Sequence, residues 1–407
     1  MSLRVISKKL LLAACVGGLT ACAFSPQEDL GVTGQAIVKG KNSDATQDAV
    51  VMIFIYDPSS GQAESCTGTL LTSKLVLTAR HCVSDTDETA ACDVSGAPIA
   101  GGTIRSNRPV TQFNIYTGAK SPDFNGLSLP KPAAGVSKII TDGSKNLCNH
   151  DVALLALDKE IPNAQIMPIR LDSSVAKGDV ITSVGWGVTA VTATPSTRQQ
   201  RAGVVITAIG PDDLPTGAVS PNEFQVGESI CSGDSGGPAI ASSGALVGVV
   251  SRGGNGTMPS QSNPASACLG TETKNLYTKP DPFKSLIVDA ATSLGQEVWI
   301  EGQPDPRLAA NGGACTADTD CQSAHCLDGK TCAADCSVNA CDSGYSCNSS
   351  KLCVKNPTTT TTTSGCSASP VGGGPPENTG LIAGVIAFAA VMGARRRRSF
   401  RDSVSPL

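Results

Sequence analysis

The chain has 407 residues, of which 40% are hydrophobic, 16% charged and 3% aromatic, with a net charge of −4. That length holds one large domain with accessories, or two to three domains, and that charge excludes the basic footprint of a nucleic-acid binder. Eight of the 17 cysteines lie between Cys315 and Cys353, a density that points to an oxidising compartment rather than the cytosol.

In chain order, residues 1–21 open on Arg4, Lys8 and Lys9, continue through an apolar stretch from Leu10 and end in small residues. That order reads as a secretory signal and not as a fold element. Leu19-Thr20-Ala21-Cys22 resembles a bacterial lipobox. The resemblance implies that Cys22 becomes the first mature residue and carries lipid; the alternative is simple cleavage near Ala21. Residues 22–36 form a linker or propeptide. From 37 to 299 short apolar runs alternate with Gly, Pro, Ser and Asp, as in "VVMIFIY", "DVITSVGWG", "AGVVITAIG" and "GALVGVVS". Such runs are strands, and many of them with turn signals predict an all-β barrel or sandwich domain. Near its end, "DPFKSLIVDAATSLG" spaces Phe283, Leu286, Ile287, Ala290 and Ala291 as one helical face.

After a linker at 300–314, residues 315–353 leave three to five residues between successive cysteines, with almost no large apolar side chains among them. Such a segment cannot build a core, so disulfides must hold it. Its two halves, Cys315–Cys332 and Cys336–Cys353, form a degenerate four-Cys repeat whose pairing the spacing leaves open. A zinc site is the rival, but Cys-x2-Cys pairs are missing and His325 is the lone imidazole. No metal and no cofactor is expected. Residues 354–380 are a Thr-, Gly- and Pro-rich stalk. The apolar segment 381–394 has only 14 residues, short against the roughly 20 of a stable span. A basic tail follows at 395–407. Gly365-Cys366, the short apolar helix and Arg395–Arg398 together resemble the C-terminal sorting tails of myxobacterial surface proteins. An ordinary tail anchor is the alternative. Both termini thus point to the membrane or cell envelope, and the chain to an exported protein at the outer surface or secreted.

Three blocks carry the chemistry: "CTGTLLTSKLVLTARHC" at 66–82, "NHDVALLAL" at 149–157 and "CSGDSGGPA" at 231–239. In that order they resemble the chymotrypsin/trypsin family of serine peptidases, over roughly 37–295. The resemblance implies two six-stranded antiparallel β-barrels with a C-terminal helix. It assigns His81, Asp151 and Ser235 as base, orienting acid and nucleophile. A Ser hydroxyl needs such a base at neutral pH, and an imidazole titrates where one is needed. His150, Asp85 and Asp142 are the competing bystanders. The resemblance further gives the amides of Gly233 and Ser235 as the oxyanion hole. It implies a zymogen in which cleavage after Ala36 frees Ile37 to pair with Asp234, and hence an activating peptidase as partner. Cys66–Cys82 and Cys231–Cys268 match family disulfides, and Cys92 and Cys148, left over, are paired with each other.

For specificity, the family's pocket floor falls on Ser229, which argues against a strong Arg or Lys preference; a register slip would place Glu228 there. Ser251 stands beside the catalytic Asp, and Gly253 lines the pocket wall. Arg252 replaces the family's Trp, Asn275 stands where Gly is common, and Lys39 does likewise in "QAIVKG". A small or medium uncharged residue at the cleavage point is the expectation. Protein or peptide substrates follow from the enzyme reading. Its alternatives are a catalytically silent binding protein of the same fold and an adhesion protein centred on the Cys-rich module.

Overall fold

The computed structural model describes residues 37–357 except 127, 189–194, 215–216, 258–262 and 338. The signal, Cys22, the stalk beyond 357, the apolar segment 381–394 and the basic tail lie outside the described residues. Among the described residues no helix is long and apolar enough to cross a membrane.

The apolar runs become two closed barrels. The first is built from β1 (Val50–Asp57), β2 (Gln62–Thr72), β3 (Leu75–Thr78), β4 (Phe113–Tyr116), β5 (Ala134–Ile140) and β6 (Ala153–Leu157). Its order is β5-β6-β3-β2-β1-β4, closed by antiparallel pairing of β4 with β5. The second contains β7 (Val180–Gly185), β8 (Gln199–Ile209), β9 (Glu223–Val226), β10 (Pro238–Ala241), β11 (Leu246–Gly254) and β12 (Lys274–Thr278). Its order is β8-β7-β10-β11-β12-β9, and β9 returns to β8. Closure pairs every barrel strand on both sides, and the two-residue strand Lys41–Asn42 adds to β8.

The run "VVMIFIY" lacks the alternation of a half-exposed strand because both faces of β1 are covered. Val51, Ile53 and Ile55 face the first core. Met52 and Phe54 pack with Tyr116 and Trp186, and Trp186 follows β7 of the other barrel. Apolar side chains therefore seal the seam between the barrels, and the site is built along it. Helix α1 spans Lys284–Ser293 after a 3₁₀ turn at Asp281–Phe283. The residues read as its apolar face behave as such: Phe283, Ile287, Ala290 and Ala291 are buried in the first core, and Leu286 is partly so. Full burial of one such Ile is worth about 1.5–3 kcal/mol.

Beyond the barrels, Ile300 bridges to Ile169, the Glu301 carboxylate accepts from Arg170 at 2.5 and 2.9 Å, and Arg307 donates to the Ala164 carbonyl at 2.7 Å. The Cys-rich segment resolves its open pairing as Cys315–Cys326 and Cys321–Cys332, then Cys336–Cys347 and Cys341–Cys353. Each half joins its first Cys to its third and its second to its fourth, and each carries one small hairpin. With its thiols oxidised in pairs, neither half offers thiolate ligands for zinc.

Candidate active site

Each site residue is delivered by a strand end. After β3, Ala79 turns the chain into the one-turn helix Arg80–Val83, which carries His81. A disulfide from Cys82 to Cys66 pins this turn to β2. Asp151 stands two residues before β6, where the chain enters through Asn149 in the left-handed conformation, φ 66°; Asn tolerates that region better than most residues. Cys148 is bonded to Cys92 just upstream. Ser235 lies in the turn between β9 and β10, its carbonyl accepting from the Thr67 amide at 2.8 Å.

These segments meet in one cleft of about 790 Å³, lined by His81, Asp151, Ser235 and the Ser251–Gly253 edge. His81 Nδ1 lies 2.8 Å from Asp151 Oδ2. The His81 amide donates to Asp151 Oδ1 at 3.0 Å, and Ser251 Oγ donates to Oδ2 at 2.6 Å. Burial by itself drives the Asp151 carboxyl upward. The charge and hydrogen bond of His81, then the Ser251 hydroxyl, outweigh burial and hold it below the ordinary carboxylate value. Burial likewise pulls the imidazole of His81 down, and the charge and hydrogen bond of Asp151 overcome it and leave its pKa raised. Arg108 and Arg252 oppose that rise. Among the described residues, no hydrogen bond joins the Ser235 hydroxyl to the His81 ring; the two share the cleft wall.

The competing groups are engaged elsewhere. Asp142 Oδ2 sits 2.5 Å from His150 Nδ1, and Asp85 is an exposed carboxylate 3.7 Å from Arg105. Neither meets His81.

The loop around Ser235 is shaped by backbone. Gly233 has φ 98°, a left-handed value that glycine adopts without strain. A Cβ there would stand 2.9 Å from the Gly187 Cα. The Gly233 carbonyl is tied to Thr67 Oγ1 at 2.9 Å. Among the described residues the amides of Gly233 and Ser235 donate to no acceptor, whereas that of Asp234 donates to the Cys231 carbonyl. The Asp234 side chain points away from the cleft, is fully buried and accepts from the Gly187 and Cys231 amides at 2.7 and 2.8 Å. Gly187 must lack a Cβ, which would fall 2.4 Å from Asp234 Oδ2. Burial lifts the Asp234 pKa to about 7 despite those two amides. No cation pairs with this carboxylate among the described residues. Ile37 is buried, packed in the second core.

Beside Ser235 the Cys231–Cys268 disulfide borders the cleft. Ser229 is fully buried and its hydroxyl donates to the Gly227 carbonyl at 3.3 Å. Asn275 lines the cleft instead. Its Nδ2 donates to the Gly227 carbonyl at 2.9 Å, and its Oδ1 lies 2.3 Å from where a Cβ on Gly253 would stand. Glu228 turns away, 2.6 Å from Lys39 Nζ.

Three contributors escape a reading by motif. Thr67 links β2 to both the Gly233 carbonyl and the Trp186 amide. Asn149 accepts from the Asn222 amide at 2.9 Å, fastening the Asp151 turn to the second barrel. Arg252 forms a bidentate pair with buried Glu223, at 2.6 and 2.9 Å. "CTGT" flags the first weakly; the other two join positions with no local pattern.

Two barrels with an imidazole–carboxylate pair and a serine in the seam define the architecture of a chymotrypsin-like hydrolase. A sequence model of the Trypsin family matches residues 37–267, and the chain belongs to that family of serine peptidases. It is 26% identical over 302 residues to a vitellin-degrading protease of Bombyx mori, covering 70% of this chain and 95% of that one. It is 25% identical over 224 residues to a trypsin of Saccharopolyspora erythraea, covering 53% and 86%. A serine protease, SP24D, of Anopheles gambiae is 33% identical over 201 residues, covering 46% and 62%. Proteins or peptides are accordingly its substrate class.

Proposed function

We propose that the chain is an exported serine endopeptidase that acts through an acyl-enzyme on Ser235 and is made as a precursor. The observation that carries the reading is the Asp151–His81 pair facing the cleft that Ser235 lines. Ionised Asp151 is acceptor-only, so Nδ1 of His81 holds the proton and Nε2 is left free to accept. His81 Nε2 takes the Ser235 proton as Oγ bonds to the substrate carbonyl carbon. The resulting oxyanion accepts from the Gly233 and Ser235 amides, which have no competing partner among the described residues. Collapse breaks the C–N bond, and the proton on Nε2 passes to the leaving amine. Water then attacks the ester with His81 again as base, releasing the acid and restoring Ser235.

The seven disulfides among the described residues support an oxidising, extracellular setting. The signal, lipidation at Cys22 and the sorting tail complete the proposal of a surface-attached enzyme. The test is a fluorophosphonate probe on the purified chain. Covalent labelling of the matured chain that disappears in Ser235→Ala is the expected result; a matured wild-type chain that stays unlabelled overturns the enzyme reading in favour of a silent binder.

Specificity follows from Asn275. Its side chain fills the space beside Gly253, and Glu228, the carboxylate next to the Ser229 position, pairs with Lys39 instead, so cleavage is expected after small uncharged residues. In Asn275→Gly the preference is expected to move toward larger apolar side chains by about tenfold or more, the scale at which a few methylenes discriminate. Peptide-library profiling of both forms reads this directly. A wild-type preference for Arg or Lys contradicts it.

A further inference from the structure

Lys39, Glu228 and Arg201 form a charged cluster that the chemistry at Ser235 does not use. Lys39 follows the buried Ile37 and Val38 and adopts φ 59°, so its backbone bends at a position where a side chain carries strain. Its Nζ lies 2.6 Å from Glu228 Oε1. The other oxygen of Glu228 accepts from the Gly270 amide at 2.6 Å. Arg201 Nη1 lies 3.4 Å from Glu228 Oε1 and donates to the Val38 carbonyl at 2.9 Å. Glu228 therefore joins three segments: the stretch that begins at Ile37, the 227–229 turn against which Asn275 is fixed, and the loop that follows Cys268. Val38 itself packs against Cys231 and Cys268.

The three members do not contribute equally. The Lys39 side chain is 68% exposed and that of Glu228 10%. An exposed ammonium is screened and holds little by itself. A largely buried carboxylate that also receives a backbone N–H is different, because removing it leaves the Gly270 amide without its acceptor and Arg201 without its counter-charge.

We propose that Glu228, neutralised by Lys39 and Arg201, is a positioning residue that holds the substrate pocket in shape from the maturation segment. It is the latch between the new amino end and the pocket rather than a pocket carboxylate. The inference rests on the peptidase reading for its consequence in catalysis, but not for the latch itself.

The test separates the two. Amide hydrogen exchange over peptides covering 227–230 and 268–272 is followed in the full chain carrying Ser235→Ala, so that no turnover intervenes. Adding Glu228→Gln is expected to speed exchange in both peptides about tenfold. Adding Lys39→Ala should speed it two- to fivefold, and Lys39→Arg should restore it. In the active background, Glu228→Gln is expected to raise KM for small-residue peptide esters about tenfold with kcat changed less than threefold. Fluorophosphonate labelling should persist. Exchange within twofold of the parent in both Glu228→Gln and Lys39→Ala overturns the latch, whatever the labelling shows. Faster exchange in a chain that never labels leaves the latch standing and removes the peptidase reading.

Discussion

Alanine at His81 or Ser235 is expected to lower kcat by about 10⁶, and asparagine at Asp151 by about 10⁴. The difference follows from what each group does. Without Ser235 there is no acyl acceptor, and without His81 nothing removes its proton. Asp151→Asn leaves both groups in place but presents an amide N–H where Oδ2 now accepts from Nδ1. The imidazole is then held with its proton on Nε2, the wrong nitrogen for a base. The Ser235→Ala/His81→Ala double variant should be no worse than either single one, because the groups act as a unit. The wild-type pH profile provides a second check. His81 must be neutral to accept the proton, so kcat/KM falls as pH drops through its pKa. Asp151 raises that pKa above the ordinary 6.5, which puts the acid limb above 6.5 and moves it downward in Asp151→Asn. Steady-state hydrolysis of a peptide ester between pH 5 and 9 measures both effects. A loss below tenfold at any of the three residues, or an acid limb below the ordinary imidazole value, contradicts the assignment.

Several strands were legible because they are apolar on both faces and bounded by turn residues, whereas their closure into two barrels was legible only through the resemblance. "DVALLAL" has no polar position to interrupt it, and all of Ala153–Leu157 is buried. The Asp151–His81 contact was legible only through the resemblance, since 70 residues separate its members. Contacts fixed by three-dimensional proximity left no such trace. Glu223 and Arg252 lie on β9 and β11, two strands that β12 separates. Nothing around either residue announces a buried pair in place of an apolar platform. The same holds for Lys39, which reads as a departure from a glycine pattern until Glu228 is seen beside it. Ser229 illustrates a different limit. Counting back from Ser235 finds the position, but only packing reveals that Asn275 stands between it and the cleft. In the Cys-rich segment, eight cysteines allow 105 pairings, and near-even spacing discriminates among none of them.

Asp234→Asn is expected to lower kcat/KM of the matured chain by about 10²–10³, the scale of losing an oxyanion-hole donor. Asp234 immediately follows Gly233 and precedes Ser235, so its side chain bears on the path of the two amides proposed to receive the oxyanion. It is buried without a cation among the described residues, and an α-amino group freed at Ile37 is the proposed partner. The sign of its pH dependence distinguishes precursor from matured chain. In the precursor its folded pKa of about 7 lies above the ordinary 3.8. Between those values the folded chain keeps a proton that the unfolded chain releases. Its contribution to stability is therefore full below pH 3.8 and is lost as pH rises toward 7. Once an amine pairs with it, the carboxylate is held ionised and that loss disappears. Urea midpoints measured from pH 4 to 8 should accordingly fall more steeply with pH for the precursor than for its Asp234→Asn variant. The matured chain should lack the extra slope. Precursor and matured chain with the same slope and the same activity would leave Asp234 as a structural carboxylate and remove the case for maturation at Ile37.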